Sequence, residues 1–205
     1  MSFTSYADLQ TSIAGYLARS DLTSQIPDFI RLSELRLRRD LRIRQMLKSV
    51  TTATVASDST VELPSDFLEV RDLFIVGNPV QPLTYYSPSA FNRNARTWEI
   101  GKPRDYTVLA NDFQLAPIPD TVYTVQMLYF AAPTFLSDTN TSNVFLANTP
   151  DALLYGALLE AEPYLMNDAR LNTWGSMFDR AMSSITRSDQ QGQYSGVPLA
   201  ITTLR

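Results

Sequence analysis

Arg36, Arg38, Arg39, Arg42 and Arg44 crowd one short stretch of the chain. With Arg31 and Lys48 they make seven bases between positions 31 and 48, against the acids Glu34 and Asp40, in a protein of net charge −4. Only two lysines occur in the whole sequence. Arginine presents a planar fork that pairs bidentately with carboxylates or phosphates, whereas lysine is a point charge. A merely solubilising face would more naturally use lysine and glutamate. Three readings of such a surface stay open: docking on an acidic protein partner, a solvated or internally salt-bridged face, and a nucleic-acid contact.

Other residue types offer less. The chain has no cysteine and no histidine. The usual zinc sites, thiol and Ser-His-Asp nucleophiles and histidine pH switches are thereby excluded. Glu160 and Glu162 stand two apart on an expected helix and face different ways, which is no acid/base pair. Asp66, Glu69 and Asp72 read as solvated or paired with Arg71 rather than as metal ligands. Gly101-Lys102-Pro103 reads as a turn, and no glycine-rich phosphate loop occurs. No R-G-F-x-F aromatic pattern marks an RNA-reading sheet. The expectation is a protein with no enzymatic activity, no cofactor and no metal.

The 205 residues and 44% apolar content suit one domain with a real core. No apolar run approaches the ~20 residues of a membrane helix. The beginning MSFTSYADLQ lacks a charged and then an apolar segment, so it does not read as a signal peptide, and a cytosolic origin is expected.

The elements that must position the arginines follow from periodicity. Residues 5–18 read as a first helix capped by Thr4 or Ser5, with Leu9, Ile13, Tyr16 and Leu17 as its stripe. Residues 26–47 read as one long helix. Pro27 suits its first turn and Thr23 or Ser24 its cap. On that helix Ile26, Ile30, Ser33, Leu37 and Leu41 share an arc, and Arg31, Leu35, Arg38 and Arg42 lie opposite. After Met46 β-branched residues and period-two alternation predict strands, with turns at 57–59, 64–66 and 77–79. A short helix is expected from Ser87 to Arg96, and strands at 106–109, 112–115 and 123–130. Residues 132–148 read as a long loop with few core candidates. Thr149-Pro150-Asp151 starts a helix that is apolar nearly all round, which Pro163 must end or kink. A last helix over 168–188 carries the seam Leu171, Trp174, Phe178, Ala181 and Ile185. Residues 190–205 have no helical period, yet hold Val197, Leu199, Ile201 and Leu204. A pinned strand, an arm docking on another subunit and simple disorder all remain open for them.

The expected fold is therefore α+β: a four-helix bundle, two helices N-terminal and two C-terminal, with an inserted small antiparallel β module and an extended C-terminal arm. Its divisions are an N-terminal helical hairpin (1–47), the β module (48–131), the long loop (132–148), a C-terminal hairpin packing on the first (149–189) and the arm (190–205).

The succession Tyr6, Asp8, Leu9, Ile13; Arg19, Asp21, Leu22; I-P-D-F-I-x-L-x-E at 26–34; R-x-L-R at 39–42; Met46; and E-L-P-x-D-F-L-E at 62–69 resembles the head–tail adaptor (connector) proteins of tailed double-stranded DNA bacteriophages. The resemblance covers roughly residues 5–190 and is clearest from 6 to 72. It implies a virion protein at the head–tail interface, assembled in the host cytoplasm as a homo-oligomeric ring, usually of twelve copies. Such a ring binds the portal, extends the channel for passing double-stranded DNA and offers a docking surface to a tail or nozzle protein. No catalytic residue carries over. On this reading Arg31, Arg38, Arg42, Tyr194, Val197, Leu199, Ile201 and Leu204 are the candidate inter-subunit or portal contacts. The alternative of another class is a DNA-binding module using the arginine-rich helix 26–47.

Overall fold

The computed structural model describes residues 4–19, 21–94, 97–165 and 169–193. The chain forms two compact units, one from Met1–Gln45 with Pro133–Arg205, the other from Met46–Ala132.

The helical unit opens with α1 (Tyr6–Leu17). A capping box starts it: Ser5 Oγ accepts from the Asp8 N–H, and the Asp8 carboxylate accepts from the Ser5 N–H. Helix α2 (Ile26–Asp40) follows, with Pro27 in its first turn. Gln25 is the cap residue and no side chain caps the helix, so neither Thr23 nor Ser24 plays that part. The expected arc is the buried one: Ile26, Ile30, Ser33 and Leu37 are buried, joined by Phe29 and Glu34.

Helix α2 ends seven residues before the expected Leu47, at Asp40. Leu41 is extended, and both Leu41 and Ile43 are buried while Arg42 between them is half-buried. That alternation suits an extended chain, and an α-helix would turn Leu41 and Ile43 to different faces. The freed helix-end carbonyls find a donor in Arg42, whose Nη1 donates to the carbonyls of Arg38 and Leu41.

The β unit contains β1 (Leu47–Ala53), β2 (Thr60–Glu62), β3 (Phe67–Ile75), β4 (Gln81–Pro82), β5 (Thr84–Tyr85), helix α3 (Pro88–Asn94), β6 (Asp105–Leu109), β7 (Asp112–Ala116) and β8 (Thr124–Ala131). They form two four-stranded sheets, ordered β1-β8-β3-β4 and β2-β7-β6-β5. All pairs are antiparallel except β5 with β6. One apolar core serves both sheets: Leu73, Ile75, Val125, Met127 and Tyr129 from the first meet Val61, Tyr106, Phe113 and Leu115 from the second. Strand β8 shows why, with every second residue from Val125 to Ala131 buried.

The chain then returns to the helical unit through α4 (Val144–Asn148), α5 (Pro150–Glu160), α6 (Glu162–Leu165) and α7 (Arg170–Gln193). Helix α5 is buried on most sides and stops before Pro163, with Ala161 as its end. The seam of α7 is buried at Trp174, Phe178 and Ala181.

The architecture is α+β, yet it is not a four-helix bundle carrying a small antiparallel β module. Among the described residues there are seven helices and two substantial sheets, one of them with a parallel pair. The short apolar runs of the middle region each have one face to bury, and a single exposed sheet would leave those faces wet. Two stacked sheets give them to each other. The expected long loop also contains α4 and the buried side chains of Leu136, Phe145 and Leu146. Residues 190–193, expected to begin the arm, are the last turn of α7. The remainder of the arm, 194–205, lies outside the described residues.

Candidate functional site

The arginines gather on the helical unit in two clusters. In the first, Arg31, Glu34 and Arg38 share one side of α2 through their spacing of three and four. The Arg31 guanidinium carbon lies 3.0 Å from the centre of the Phe135 ring, and that of Arg38 lies 4.8 Å from it. Both cations thus sit against one aromatic ring, an arrangement arginine favours through its flat, weakly hydrated head.

Between them Glu34 is buried. Its Oε1 accepts from the Leu136 N–H at 3.0 Å and from Asn143 Nδ2 at 2.6 Å. Burial pushes its carboxyl above the usual glutamate range, opposed by those two hydrogen bonds and by the nearby Arg31 and Arg38. Asn143 does double service: its Oδ1 accepts from the Leu146 N–H and caps α4, and its Nδ2 also donates to the Thr134 carbonyl. The result is a clasp that fastens residues 134–146 to α2. The Tyr6 N–H, donating to the Thr141 carbonyl, holds the same segment from α1.

The second cluster lies at the end of α7. Asp189 is buried, and its Oδ1 accepts from the Arg44 N–H at 2.8 Å and from Arg44 Nε at 3.3 Å. Its Oδ2 accepts from Gln193 Nε2. Arg44 Nη1 donates to the Gly192 carbonyl at 3.1 Å. A β-carbon at Gly192 would lie 2.2 Å from Arg44 Nη2, so the absence of a side chain there lets the guanidinium approach. Beside this pair is a cavity of about 230 Å³, lined among others by Asp151, Ser184 and Ser188.

Further contacts lock α2 onto its neighbours. Arg36 pairs with Glu160 of α5 at 3.3 Å and lies 5.2 Å from the Phe178 ring of α7. Ser33 Oγ donates to the Leu153 carbonyl, and a β-carbon on Gly156 would stand 2.3 Å from Ser33 Oγ. Helices α2 and α5 therefore approach closely where two small residues meet.

Of the expected contact residues, Arg31 and Arg38 are brought together by Phe135. Arg42 leaves their face because α2 ends before it, and it caps the helix instead. Tyr194, Val197, Leu199, Ile201 and Leu204 lie outside the described residues. Sequence reasoning passed over Glu34, Phe135, Asn143 and Asp189. The signals were present for three of them: Glu34 directly follows Ser33 on the core arc, Asn143 stands before an apolar run as a helix cap does, and Asp189 extends the α7 seam by four from Ile185. Phe135 gave none.

A buried carboxylate spent on a backbone N–H and an amide, with cations laid on a ring, is the chemistry of fastening. It holds the helical unit to one geometry. The chain matches the family described as SU10 adaptor protein over residues 4–201, and it belongs to that family. It is therefore a bacteriophage adaptor, a structural protein of the virion that interacts with other virion proteins. No curated protein matches the sequence. Among the described residues no helix is long and apolar enough to cross a membrane.

Proposed function

We propose that this adaptor is a ring subunit at the head–tail interface: it binds the portal, extends the DNA channel and offers a docking surface to the next tail or nozzle protein. The observation that carries the reading is the family match across residues 4–201. The clasped helical unit supports it. A ring subunit meets its neighbours through two different patches, and the ring closes only if the angle between them is fixed. Arg31 and Arg38, already laid on Phe135, lose little further freedom on docking. A guanidinium over a ring keeps its in-plane donors for a partner's carboxylate. Residues 194–205, with Val197, Leu199, Ile201 and Leu204, are the proposed arm toward the portal.

The DNA-binding reading draws less support. Arg36 and Arg44 are paired with Glu160 and Asp189, and the net charge is −4. Each phosphate contact adds salt-sensitive affinity, and a channel that lets DNA slide does better without many. The test is electron microscopy of the purified protein mixed with purified portal. Rings of this chain seated on portal are expected. A lone monomer that leaves the portal bare and shifts duplex DNA at low salt would overturn the proposal.

A further inference from the structure

The five most exposed large apolar side chains among the described residues are Trp98 (73%), Ile100 (69%), Val122 (63%), Val55 (61%) and Val80 (54%). All belong to turns of the β unit, and its hydrogen bonds place those turns at one end. The organiser is the stretch 118–124 that leads into β8. Ile100 bridges to Ile118, with the Gly101 N–H donating to the Ile118 carbonyl and the Ile118 N–H to the Glu99 carbonyl. On the β1 side the Thr54 N–H donates to the Tyr123 carbonyl and the Ser57 N–H to the Pro119 carbonyl, which brings Val55 beside Val122. On the β3 side the Val76 N–H donates to the Thr124 carbonyl, and Val76 is itself exposed. Val80 directly precedes Gln81, which pairs with Ile75 and whose Nε2 donates to the Pro103 carbonyl. This end is the one opposite Leu47 and Phe130, which pair at the other end of β1 and β8.

We infer that this apolar tip is the surface on which the β unit receives a tail-side virion protein, one that presents an apolar face with a rim of mixed charge in slight basic excess. The inference rests on the head–tail reading above and assigns residues to its docking surface. Three arguments select this occupant. The six side chains expose on the order of 600 Å², the top of the range for a monomer's largest patch and close to the roughly 800 Å² each partner gives to a stable interface. The backbone of the turns is already hydrogen-bonded within the unit, so recognition runs through side chains, with Trp98 as the kind of anchor that dominates interfaces. The rim carries the acids Asp58, Glu99 and Asp120 against Lys102 and Arg104. A second copy docking tip to tip would close a two-fold pair, ending the stack rather than continuing it.

The test is made in the phage, with the double variant Trp98→Ser and Ile100→Ser. Filled heads are purified, blotted for the adaptor and counted for tails by electron microscopy. The variant should stay on heads while tailed particles fall roughly tenfold or more, as for loss of a hot-spot anchor. Tails at the parental level would overturn the inference. So would loss of the variant adaptor from heads, since the tip would then serve the ring or the portal. If the parental adaptor itself is missing from virions, the head–tail reading fails instead. The purified variant should melt as the parent does. Should it not, the nearly isosteric pair Val55→Thr and Val122→Thr takes its place with the same expected outcomes, and Met177→Ser, exposed on α7, is the control that should change nothing.

Discussion

The two units hold themselves together by different means. In the helical unit specific polar fastenings sit inside the packing: Glu34 under two arginines, Asp189 under Arg44, Ser33 against α5. In the β unit stability rests on two sheets giving each other an apolar face, with aromatic contacts such as Phe113 against Phe67 and Tyr106. Its ion pair of Lys48 with Asp66 is partly exposed and peripheral, and Asp66 also accepts from the Tyr129 hydroxyl at one edge of the core. Apolar packing is tolerant of shape and non-directional, whereas a buried carboxylate accepts only one arrangement of donors. The helical unit is thus the one whose internal geometry is more narrowly specified. The β unit is a stable stem that can present its turns.

The sharpest way to break the contrast is at Phe113, which is fully buried between the sheets with its ring centre 5.8 Å from that of Phe67 and 5.7 Å from that of Tyr106. Phe113→Ala should cost about 3–5 kcal/mol, the range for deleting a buried aromatic. Urea unfolding followed by circular dichroism and intrinsic fluorescence measures it. A loss under 1 kcal/mol would mean that the two sheets do not depend on this contact.

Titration separates the units by sign. Glu34 has its carboxyl raised above 4.5 in the folded protein, mainly by burial. Its stabilising share is therefore fully present below the unfolded value and is lost as pH rises through the folded one. Asp66 moves the other way. Burial alone would raise it, but the hydrogen bonds from Lys48 and Tyr129 outweigh that and hold it below 3.8. Its share is present above the unfolded value and is lost as pH falls through the folded one. Burial, together with the same bond, pushes the Tyr129 hydroxyl up to about 12. Glu34→Gln should flatten the decline in stability as pH rises past the ordinary glutamate range. Asp66→Asn should flatten the loss in strong acid. Urea midpoints across pH 2.5 to 7 on the two variants and the parent decide it, with each curve shifted by on the order of 1 kcal/mol. Identical curves for all three would remove both assignments.

How much of this was legible in the sequence follows the same division. The helices α1, α5 and α7 announce themselves by period, caps and prolines, and so do the strands β6, β7 and β8. The pairing of strands was not readable, because alternation shows that a face is buried and not what buries it. Strands β1 and β2 look like two arms of one hairpin around Ser57, yet they join different sheets, β1 beside β8 and β2 beside β7. The end of α2 was missed for a related reason. Leu37 and Leu41 keep the helical spacing, and the competing extended pattern rests on only two apolar residues, Leu41 and Ile43. At the site the cationic face was visible, but the groups that organise it come from distant segments. Phe135 and Asn143 lie more than a hundred positions after Arg31, and no local pattern links them.

The most local effect is expected where α7 ends. Gly192→Ala places a β-carbon 2.2 Å from Arg44 Nη2, within a flexible side chain that can swing aside. The hydrogen bond from Arg44 Nη1 to the Gly192 carbonyl would then lengthen or break, while the Asp189 contact through the Arg44 backbone N–H survives. The cost should be roughly 0.5–1.5 kcal/mol, one hydrogen bond partly replaced by water, and alanine's better helix propensity offsets some of it. Hydrogen exchange should show faster exchange in the last turn of α7 and no change in α2. Were protection lost as far back as Phe178, the pair of Arg44 and Gly192 would be holding much more of the helix than its last turn, and the Asp189 anchor less.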